Sequence, residues 1–130
     1  MTDQKVSKTV LLQPQGQLDL EGGVELQHQI AAIASERYSC WVLDLAKIEF
    51  INSSGLVALI SGLNIANECK CRLVLCNLPA HVKLIFEITQ LDQVFEIVET
   101  PEALFAELPP VMELVAPKTT VSKKSGPVAA

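Results

Sequence analysis

The chain has 130 residues, of which 49% are hydrophobic and 19% charged, and its formal net charge is -5. A chain of this size and composition predicts one domain that buries a core without disulfides or a structural metal, and it excludes collagen-like and wholly disordered proteins. The acidic balance, with no basic run in the body of the chain, argues against nucleic acid as a partner.

Features of a membrane or secreted protein are not found in the sequence. The uncharged stretch 51–67 contains eight polar or glycine residues and is too polar to span a bilayer. The first residues contain no apolar segment after a basic patch, which a secretory signal would need. The sequence therefore predicts a cytoplasmic protein that does not enter a membrane.

The four cysteines are Cys40, Cys69, Cys71 and Cys76. In a cytoplasmic protein, reduced thiols are the expected state. One residue separates Cys69 from Cys71, a pair that could suggest a metal or redox site, but zinc sites usually have a two-residue spacer and further ligands. We therefore expect free thiols, with no metal and no cofactor.

In the N-terminal third of the chain, the pattern predicts two short strand segments and a helix. Residues 9–12 are β-prone and are closed by Pro14 and Gly16, and residues 17–20 are interpreted as the strand end that follows. Gly22 and Gly23 are interpreted as a break. From Val24 to about residue 34, apolar residues recur at the spacing of an amphipathic surface helix.

The middle of the chain predicts a βαβ unit. Residues 40–45 and 73–76 are nearly continuous apolar runs, which is the pattern of strands buried on both faces of a sheet. Between them, residues 54–68 place their large apolar side chains on one arc of a helix. The two strands are therefore expected to be neighbours joined by a helical crossover.

The remaining elements complete an α/β domain. Pro79 suits the first turn of a helix whose apolar face includes Val82, Ile85 and Phe86. Residues 94–98 predict a last strand, and Thr100 is the predicted cap of a helix that runs through about residue 108. We expect residues 1–109 to form one α/β domain, in which a mixed sheet of four to five strands is covered by about four helices, and residues 110–130 to be a disordered tail.

Residues 50–56, Phe-Ile-Asn-Ser-Ser-Gly-Leu, lie where a short loop after a buried strand leads into a helix. Asn52, Ser53 and Ser54 are all favourable N-cap residues, so one interpretation is a helix cap alone. A phosphate on one of these hydroxyls would also be favoured, because the positive end of the helix dipole and free amides lie there. The residues leave both interpretations open.

A helical wheel of the following helix places an uncharged arc outward, where a solvated face would normally carry lysine or glutamate. The arc consists of Val57, Ala58, Ser61, Gly62 and Ile65. Small apolar side chains make a flat surface that another protein, or a second copy of this chain in a weak homodimer, can approach. The alternative is that the tail or the rest of the domain covers this arc.

The segment from Asp44-Leu45 through Phe50 to Leu56 resembles the signature of STAS domains, and specifically that of the small cytosolic anti-sigma factor antagonists of bacteria. The resemblance begins at Gly16-Gln17-Leu18-Asp19. It continues through residues 79–86 and 94–97 in the family's order and covers roughly residues 8–108. An α/β fold of the STAS type is what this resemblance implies.

The resemblance further implies a switch and not an enzyme. In the family, the unphosphorylated antagonist binds an anti-sigma factor that is also a serine kinase, and phosphorylation at the Ser or Thr before the Gly ends the interaction. A metal-dependent serine phosphatase reverses it. By position that hydroxyl is Ser54, with Ser53 as second choice. The implied partner-binding residues are Asp19, Asn52, Ser53, Ser54, Gly55, Val57, Ala58 and Ser61.

Two residues leave alternatives open. Asp19 matches a family acidic residue near the partner surface, but it is equally a residue that ends a strand with a turn hydrogen bond ahead of Gly22. Asn52 stands where the family usually has Asp, and an amide supplies no negative charge. This departure favours a second hypothesis, a STAS adaptor subunit of a transport or stress-signalling assembly that is not phosphorylated.

A third hypothesis, an enzyme with Ser54 or a cysteine as nucleophile, has less support. Ser54-Gly55 lacks the G-x-S-x-G elbow of serine hydrolases, and neither His28 nor His81 stands in the sequence context of a general base.

Overall fold

The computed structural model of the chain describes residues 8–36, 38–105 and 112–115. Strands and helices alternate along them, and the bounds of these elements follow. The strands are β1 (Thr9–Leu12), β2 (Gly16–Leu18), β3 (Cys40–Asp44), β4 (Ile48–Ile51), β5 (Arg72–Cys76), β6 (Glu96–Val98) and β7 (Met112–Val115). The helices are α1 (Leu20–Ala34), α2 (Ser53–Cys69), α3 (Ala80–Thr89) and α4 (Pro101–Phe105), with a short 3-10 turn at Leu91–Gln93.

The main sheet contains five strands in the order β6-β5-β3-β1-β7. All five residues of β3 are buried at its centre, as the continuous apolar run predicted. The number of strands agrees with the prediction, and β3, α2 and β5 form the predicted βαβ unit. Every pairing among the described strands is parallel, whereas a mixed sheet was predicted. Parallel strands need a crossover connection, and in this sheet the connections between successive strands contain helices.

A second, two-stranded sheet pairs β2 with β4 in parallel, with Leu18 opposite Ile51. The sequence analysis treated residues 17–20 as a strand end and the segment before Asn52 as a loop. Within β4 only Ile48 and Ile51 are buried, while Glu49 and Phe50 are exposed. Two such short segments become strands because they pair with each other, and that information is not local.

Helix α1 begins at Leu20, four residues before the predicted start at Val24. Gly22 and Gly23 lie in its first turn and do not break it. A Cβ at Gly22 would overlap the carbonyl oxygen of Gln17, and a Cβ at Gly23 would lie 3.0 Å from the Cβ of Ala58 in α2. These glycines therefore allow close packing, and the interpretation of a break was wrong.

The other helices follow the predictions closely. Helix α2 begins and ends within one residue of the predicted range, and α3 starts directly after Pro79. Val82 and Phe86 of α3 are buried, and the rings of Phe86 and Phe95 pack with their centroids 5.6 Å apart. The Thr100 hydroxyl caps α4 by accepting a hydrogen bond from Ala103 N–H at 3.3 Å. The predicted end of this helix near residue 108 lies outside the described residues.

The two faces of the main sheet belong to separate buried clusters. Trp41 and Leu43 of β3 pack with α1, α2 and α3 on one face. Cys40 and Val42 of the same strand pack with Leu104 of α4 on the other. Helices α1 and α2 therefore lie side by side on the first face, which places their N-termini next to each other. In the described part of the chain, no helix has the length and apolar content that crossing a membrane requires.

Strand β7 lies within the segment that was predicted to be a disordered tail. It pairs in parallel with β1, with Thr9 opposite Met112 and Leu12 opposite Val115. The structure thus has a strand at Met112–Val115, where the sequence analysis expected a disordered tail. A free edge of β1 offers backbone partners that composition alone does not reveal. The rest of the predicted tail, residues 116–130, lies outside the described residues.

Candidate functional site

The predicted site lies where two helices begin beside each other. Asp19 directly follows β2, and Asn52 directly follows β4, so the pairing of these strands brings the two residues to one edge of the small sheet. Neighbouring strands are about 4.8 Å apart. The Asn52 backbone N–H also donates a hydrogen bond to the Leu18 carbonyl oxygen at 3.3 Å. The small sheet thereby fixes the position of α2 relative to α1.

Both helices are capped in the same way. Asp19 Oδ1 accepts a hydrogen bond from Gly22 N–H at 3.0 Å, and Asn52 Oδ1 accepts one from Gly55 N–H at 3.1 Å. A Cβ at Gly55 would overlap the Leu18 carbonyl oxygen. The cap interpretation of Asn52 is confirmed. For Asp19, the hydrogen bond ahead of Gly22 exists, but it opens a helix.

Ser54 lies in the first turn of α2, on the side that faces α1. Its side chain is half-buried, whereas that of Ser53 is exposed. A Cβ at Gly23 of α1 would stand 3.4 Å from the Ser54 carbonyl oxygen, which shows how closely the two helices approach. Within the described part of the chain, no hydrogen bond engages the Ser54 hydroxyl. This hydroxyl is therefore available for another group.

An apolar groove of about 220 Å³ separates the first turns of the two helices. We call it the α1–α2 groove, and Leu20, Gly23, Val24, Gln27, Ser53, Ser54, Val57 and Ala58 line it. Three of its large apolar side chains are unusually exposed: Leu20 is 67%, Val57 57% and Val24 43% accessible. None of the described residues that line the groove is charged. It is therefore an apolar, uncharged depression with two serines at one end.

The outer arc of α2 was predicted only in part. Val57 is exposed, but Ala58 is 3% accessible, and Gly62 is also buried. A Cβ at Gly62 would lie 2.6 Å from Ile30 Cδ1, so these small residues face α1 and not the surface. Ser61 and Ile65 are half-buried. The outward placement of Ala58 and Gly62 was wrong, because helix α1 covers this side of α2.

The two helix starts differ in charge. Helix α1 has the carboxylate of Asp19 at its cap and that of Glu21 in its first turn. The first turn of α2 contains no acidic residue, and Asn52 contributes only a neutral amide. Carboxylates stabilise the positive end of a helix dipole. Carboxylates therefore offset the positive end of the dipole in α1, whereas the first turn of α2 has no acidic side chain to do so.

Asp44, which belongs to the motif, has a structural role behind the site. Its side chain is 8% exposed and accepts hydrogen bonds from Gln13 Nε2 at 3.0 Å and Asn77 Nδ2 at 3.1 Å. Its Oδ1 also accepts one from Ala46 N–H at 3.0 Å. These bonds join the segments that follow β1, β3 and β5. They hold the turn that leads into β4 and hence into Asn52.

Sequence reasoning missed the contribution of α1 to the site. Leu20, Val24 and Gln27 line the α1–α2 groove, but the Gly22-Gly23 pair was interpreted as a break between them. A usable signal was present, since Asp19-x-x-Gly22 repeats the spacing of Asn52-x-x-Gly55. Asp and Asn are both favourable N-cap residues, so each of these segments could have been interpreted as a helix start.

The cysteines and other potential metal ligands do not add to the site. Burial raises the pKa of Cys40 to about 11 and that of Cys76 to about 12, which makes both thiols poor nucleophiles near neutral pH. In residues 8–36, 38–105 and 112–115, no three His, Cys, Asp or Glu side chains form a group that could hold a metal ion.

Comparison with known proteins agrees with this geometry. The family model described as "Mlab, STAS domain" matches residues 1–99. Over 106 residues the chain is 27% identical to BtrV of Bordetella bronchiseptica, a protein assigned as an anti-sigma factor antagonist, and the match covers 82% of this chain and 91% of BtrV.

Solved structures show the same fold at lower identity. A Thermotoga maritima protein assigned as an anti-sigma factor antagonist superposes with a TM-score of 0.70 at 21% identity, covering 76% of this chain and 86% of its own. The Bacillus cell fate determinant SpoIIAA in its phosphorylated form gives a TM-score of 0.60 at 16% identity, over 80% and 95% of the two chains. From its fold, its paired helix starts and the family match, the chain belongs to the STAS domain family.

Proposed function

We propose that this protein is an anti-sigma factor antagonist that binds its partner through the α1–α2 groove and is switched by reversible phosphorylation of Ser54. The observation that carries the proposal is the position of the Ser54 hydroxyl. It lies at the start of α2 beside the exposed apolar groove, and among the residues that the structure describes it has no hydrogen-bond partner. One modification there changes the charge of the whole depression.

The binding step rests on Leu20, Val24 and Val57, which are exposed around the α1–α2 groove. Burying a side chain of this kind contributes up to about 1.5–3 kcal/mol when it is fully removed from water. Three such residues around one depression can supply the central contacts of an interface. A partner that places an apolar side chain between α1 and α2 would use all three.

The switching step follows from charge. The amides of Ser53 and Ser54 have no helix carbonyl to bond, so the start of α2 can accept a phosphate without refolding. That phosphate adds about two negative charges, which a docking partner would have to desolvate against an apolar surface. A loss of about 5 kcal/mol lowers affinity by more than 10³-fold. The phosphorylated form of SpoIIAA supports this step, because it has a similar fold.

In this function the protein is a regulatory binding protein of the bacterial cytoplasm and not an enzyme. Its partners are an anti-sigma factor that is also a serine kinase, which binds the unphosphorylated form, and a metal-dependent serine phosphatase, which restores that form. The name of BtrV supports an antagonist role, since this relative aligns along most of both chains. The uncharged lining of the α1–α2 groove supports a protein partner.

A second candidate is favoured by Asn52. Without a carboxylate at this cap, the α1–α2 groove could dock one partner constitutively, as in a STAS adaptor subunit of a transport or stress-signalling assembly. This second candidate shares the binding surface with the first candidate and differs in lacking the phosphate.

The test compares Ser54→Ala and Ser54→Asp for binding to an anti-sigma factor kinase from the same organism, measured by calorimetry. Ser54→Ala should bind like the unphosphorylated protein, and Ser54→Asp should bind at least tenfold more weakly. Asn64→Asp is the matched control, because it adds the same charge to an exposed side chain of α2 that does not line the α1–α2 groove. Binding by Ser54→Asp equal to that of wild type would contradict the switch.

Phosphosite mapping of the protein from its own cells separates the two candidates. A phosphate on Ser54 that a metal-dependent serine phosphatase removes supports the switch. Ser54 unmodified across growth and stress conditions, together with retained binding of a transport or signalling subunit, supports the adaptor.

A further inference from the structure

Two of the four cysteines are accessible, and they lie together at the far end of α2. Cys69 is the last residue of this helix and is exposed, and Cys71, just before β5, is half-buried. Cys40 and Cys76 are buried in the sheet. The accessible thiols are therefore neighbours in sequence, separated by Lys70 alone.

The backbone between these two cysteines is already folded back. Lys70 ends α2 in the left-handed conformation, with φ 61° and ψ 37°. This conformation places the Cα atoms of Cys69 and Cys71 roughly 5–6 Å apart. Disulfides span about 4.4–6.8 Å between Cα atoms. Cys71 Sγ also lies 3.8 Å from the carbonyl oxygen of Cys69.

We propose that Cys69 and Cys71 form a reversible intramolecular disulfide when the protein meets a low-molecular-weight disulfide such as oxidised glutathione. This modification site is separate from the proposed Ser54 switch. Helix α2 has 17 residues, which corresponds to roughly 25 Å between its two ends.

The reaction has two exchange steps. The exposed Cys69 loses its proton to solvent, and its thiolate attacks one sulfur of oxidised glutathione, forming a mixed disulfide and releasing one glutathione thiolate. Cys71 then loses its proton and attacks Cys69 Sγ, forming the new S–S bond and releasing the second glutathione thiolate. The two cysteines are oxidised by two electrons, and one glutathione disulfide is reduced to two thiols.

Ring closure changes the contacts at this end of α2. Cys71 Sγ donates a hydrogen bond to the Tyr38 carbonyl oxygen at 3.1 Å, which links α2 to the segment before β3. The Cys71 backbone N–H donates to the Ala66 carbonyl oxygen at 2.8 Å in the last turn. A bond from Cys71 to Cys69 withdraws the sulfur from Tyr38. Amide exchange in this turn should become faster in the oxidised protein.

The test uses the full chain, fully reduced and then freed of reductant. It is incubated with oxidised glutathione at pH 8, quenched with acid, denatured, alkylated with N-ethylmaleimide and weighed by mass spectrometry. The expected product carries two maleimide groups instead of four, and no glutathione. Trypsin cuts after Lys70, so the peptides that contain Cys69 and Cys71 should remain joined until they are reduced.

Two variants identify the order of the steps. Cys71→Ser should retain one glutathione on Cys69, because no second thiol remains to displace it. Cys69→Ser should lose no pair of thiols under the same conditions. Trp41 fluorescence, which reports on the buried core, checks that both variants are folded.

Three results would overturn the proposal. The first is a wild-type product with four maleimide groups. The second is a wild-type product that keeps its glutathione as Cys71→Ser does. The third is a disulfide between any other two cysteines of the chain, or a covalent dimer linked through Cys69.

Discussion

The starts of α1 and α2 are two copies of one construction with opposite electrostatics. In each, a short strand of the small sheet ends, an Asp or Asn caps the helix, and a glycine three residues later packs against a carbonyl oxygen of β2. Helix α1 adds the carboxylates of Asp19 and Glu21, whereas the first turn of α2 is uncharged.

The same backbone arrangement therefore occurs with two different sets of side-chain charges. Acidic side chains at a helix start each stabilise it by about 0.3–1 kcal/mol, and in doing so they use the favourable potential there. Helix α2 lacks this stabilisation and keeps that potential for another anion. The proposed phosphate on Ser54 would take the place that side-chain carboxylates occupy in α1.

The largest expected effect tests the shared backbone arrangement. Gly22→Ala and Gly55→Ala should each lower the free energy of unfolding by about 3 kcal/mol or more, because each new Cβ would overlap a carbonyl oxygen of β2. Urea unfolding followed by Trp41 fluorescence measures both. Gly16→Ala is the control: its Cβ meets open space, so the positive φ of 81° alone should cost roughly 1–2 kcal/mol. Equal losses at all three positions would contradict the steric explanation.

Removing the caps tests whether the two helix starts are equivalent in hydrogen bonding. Asp19→Ala and Asn52→Ala should each cost about 1 kcal/mol, since each leaves a glycine N–H in the first turn without its acceptor. The loss for Asp19→Ala should shrink as salt is raised, because part of it is electrostatic. The loss for Asn52→Ala should not change with salt. Identical salt dependence would show that charge does not distinguish the two starts.

Exchanging the caps sharpens the comparison further. Asn52→Asp should stabilise the unmodified protein by about 0.3–1 kcal/mol, and Asp19→Asn should destabilise it by a similar amount. When Ser54→Asp is also present, the gain from Asn52→Asp should disappear, because two carboxylates would then share one helix start. A double-mutant cycle of unfolding free energies measures this coupling. Additive changes would contradict competition for the same potential.

The smallest effect concerns pH and comes from an ion pair remote from both helix starts. The Arg72 guanidinium hydrogen-bonds Glu96 across β5 and β6 and lowers the pKa of that carboxyl group. Because the folded pKa is lowered, the pair stabilises the protein above the unfolded value of about 4.3, and this contribution is lost as pH falls through the folded pKa.

Both side chains of this ion pair are more than a third exposed, so we expect less than about 0.5 kcal/mol. The unfolding free energies of wild type and Glu96→Gln should differ slightly at pH 7, and the difference should shrink as pH falls below the unfolded pKa of about 4.3. In a protein that carries Glu96→Gln, this ion pair no longer titrates. The pH dependence that Asn52→Asp adds can then be measured separately from that of Glu96. A difference that persists unchanged at pH 3 would contradict the ion-pair explanation.

The parts of the fold that sequence predicts well have strong local patterns. The buried run of β3 and the apolar periodicity of α2 and α3 hold whatever surrounds them, because many residues carry the same signal. Strand β2 has only three residues and β4 only four. These strands form through pairing between segments that are distant in sequence, so local analysis could not find them.

Features of the site that depend on residue type and position in the sequence were predicted. Features that depend on how α1 packs against α2 were missed. The capping role of Asn52 follows from its residue type and position. The placement of Ala58 and Gly62 does not, because a small residue suits an exposed face and a helix contact equally well. Only the position of α1 decides between them, and the Gly22-Gly23 pair hid the true start of that helix.

Strand β7 has a practical consequence for work with shortened chains. Truncation after residue 109, the boundary that the sequence suggests, would remove the strand that pairs with the outer edge of β1. The backbone groups of Thr9–Leu12 would then form an open sheet edge, which readily pairs with a strand of another molecule. Such a fragment should aggregate or form edge-to-edge dimers, and the oligomeric state of this protein is therefore best measured on the full chain.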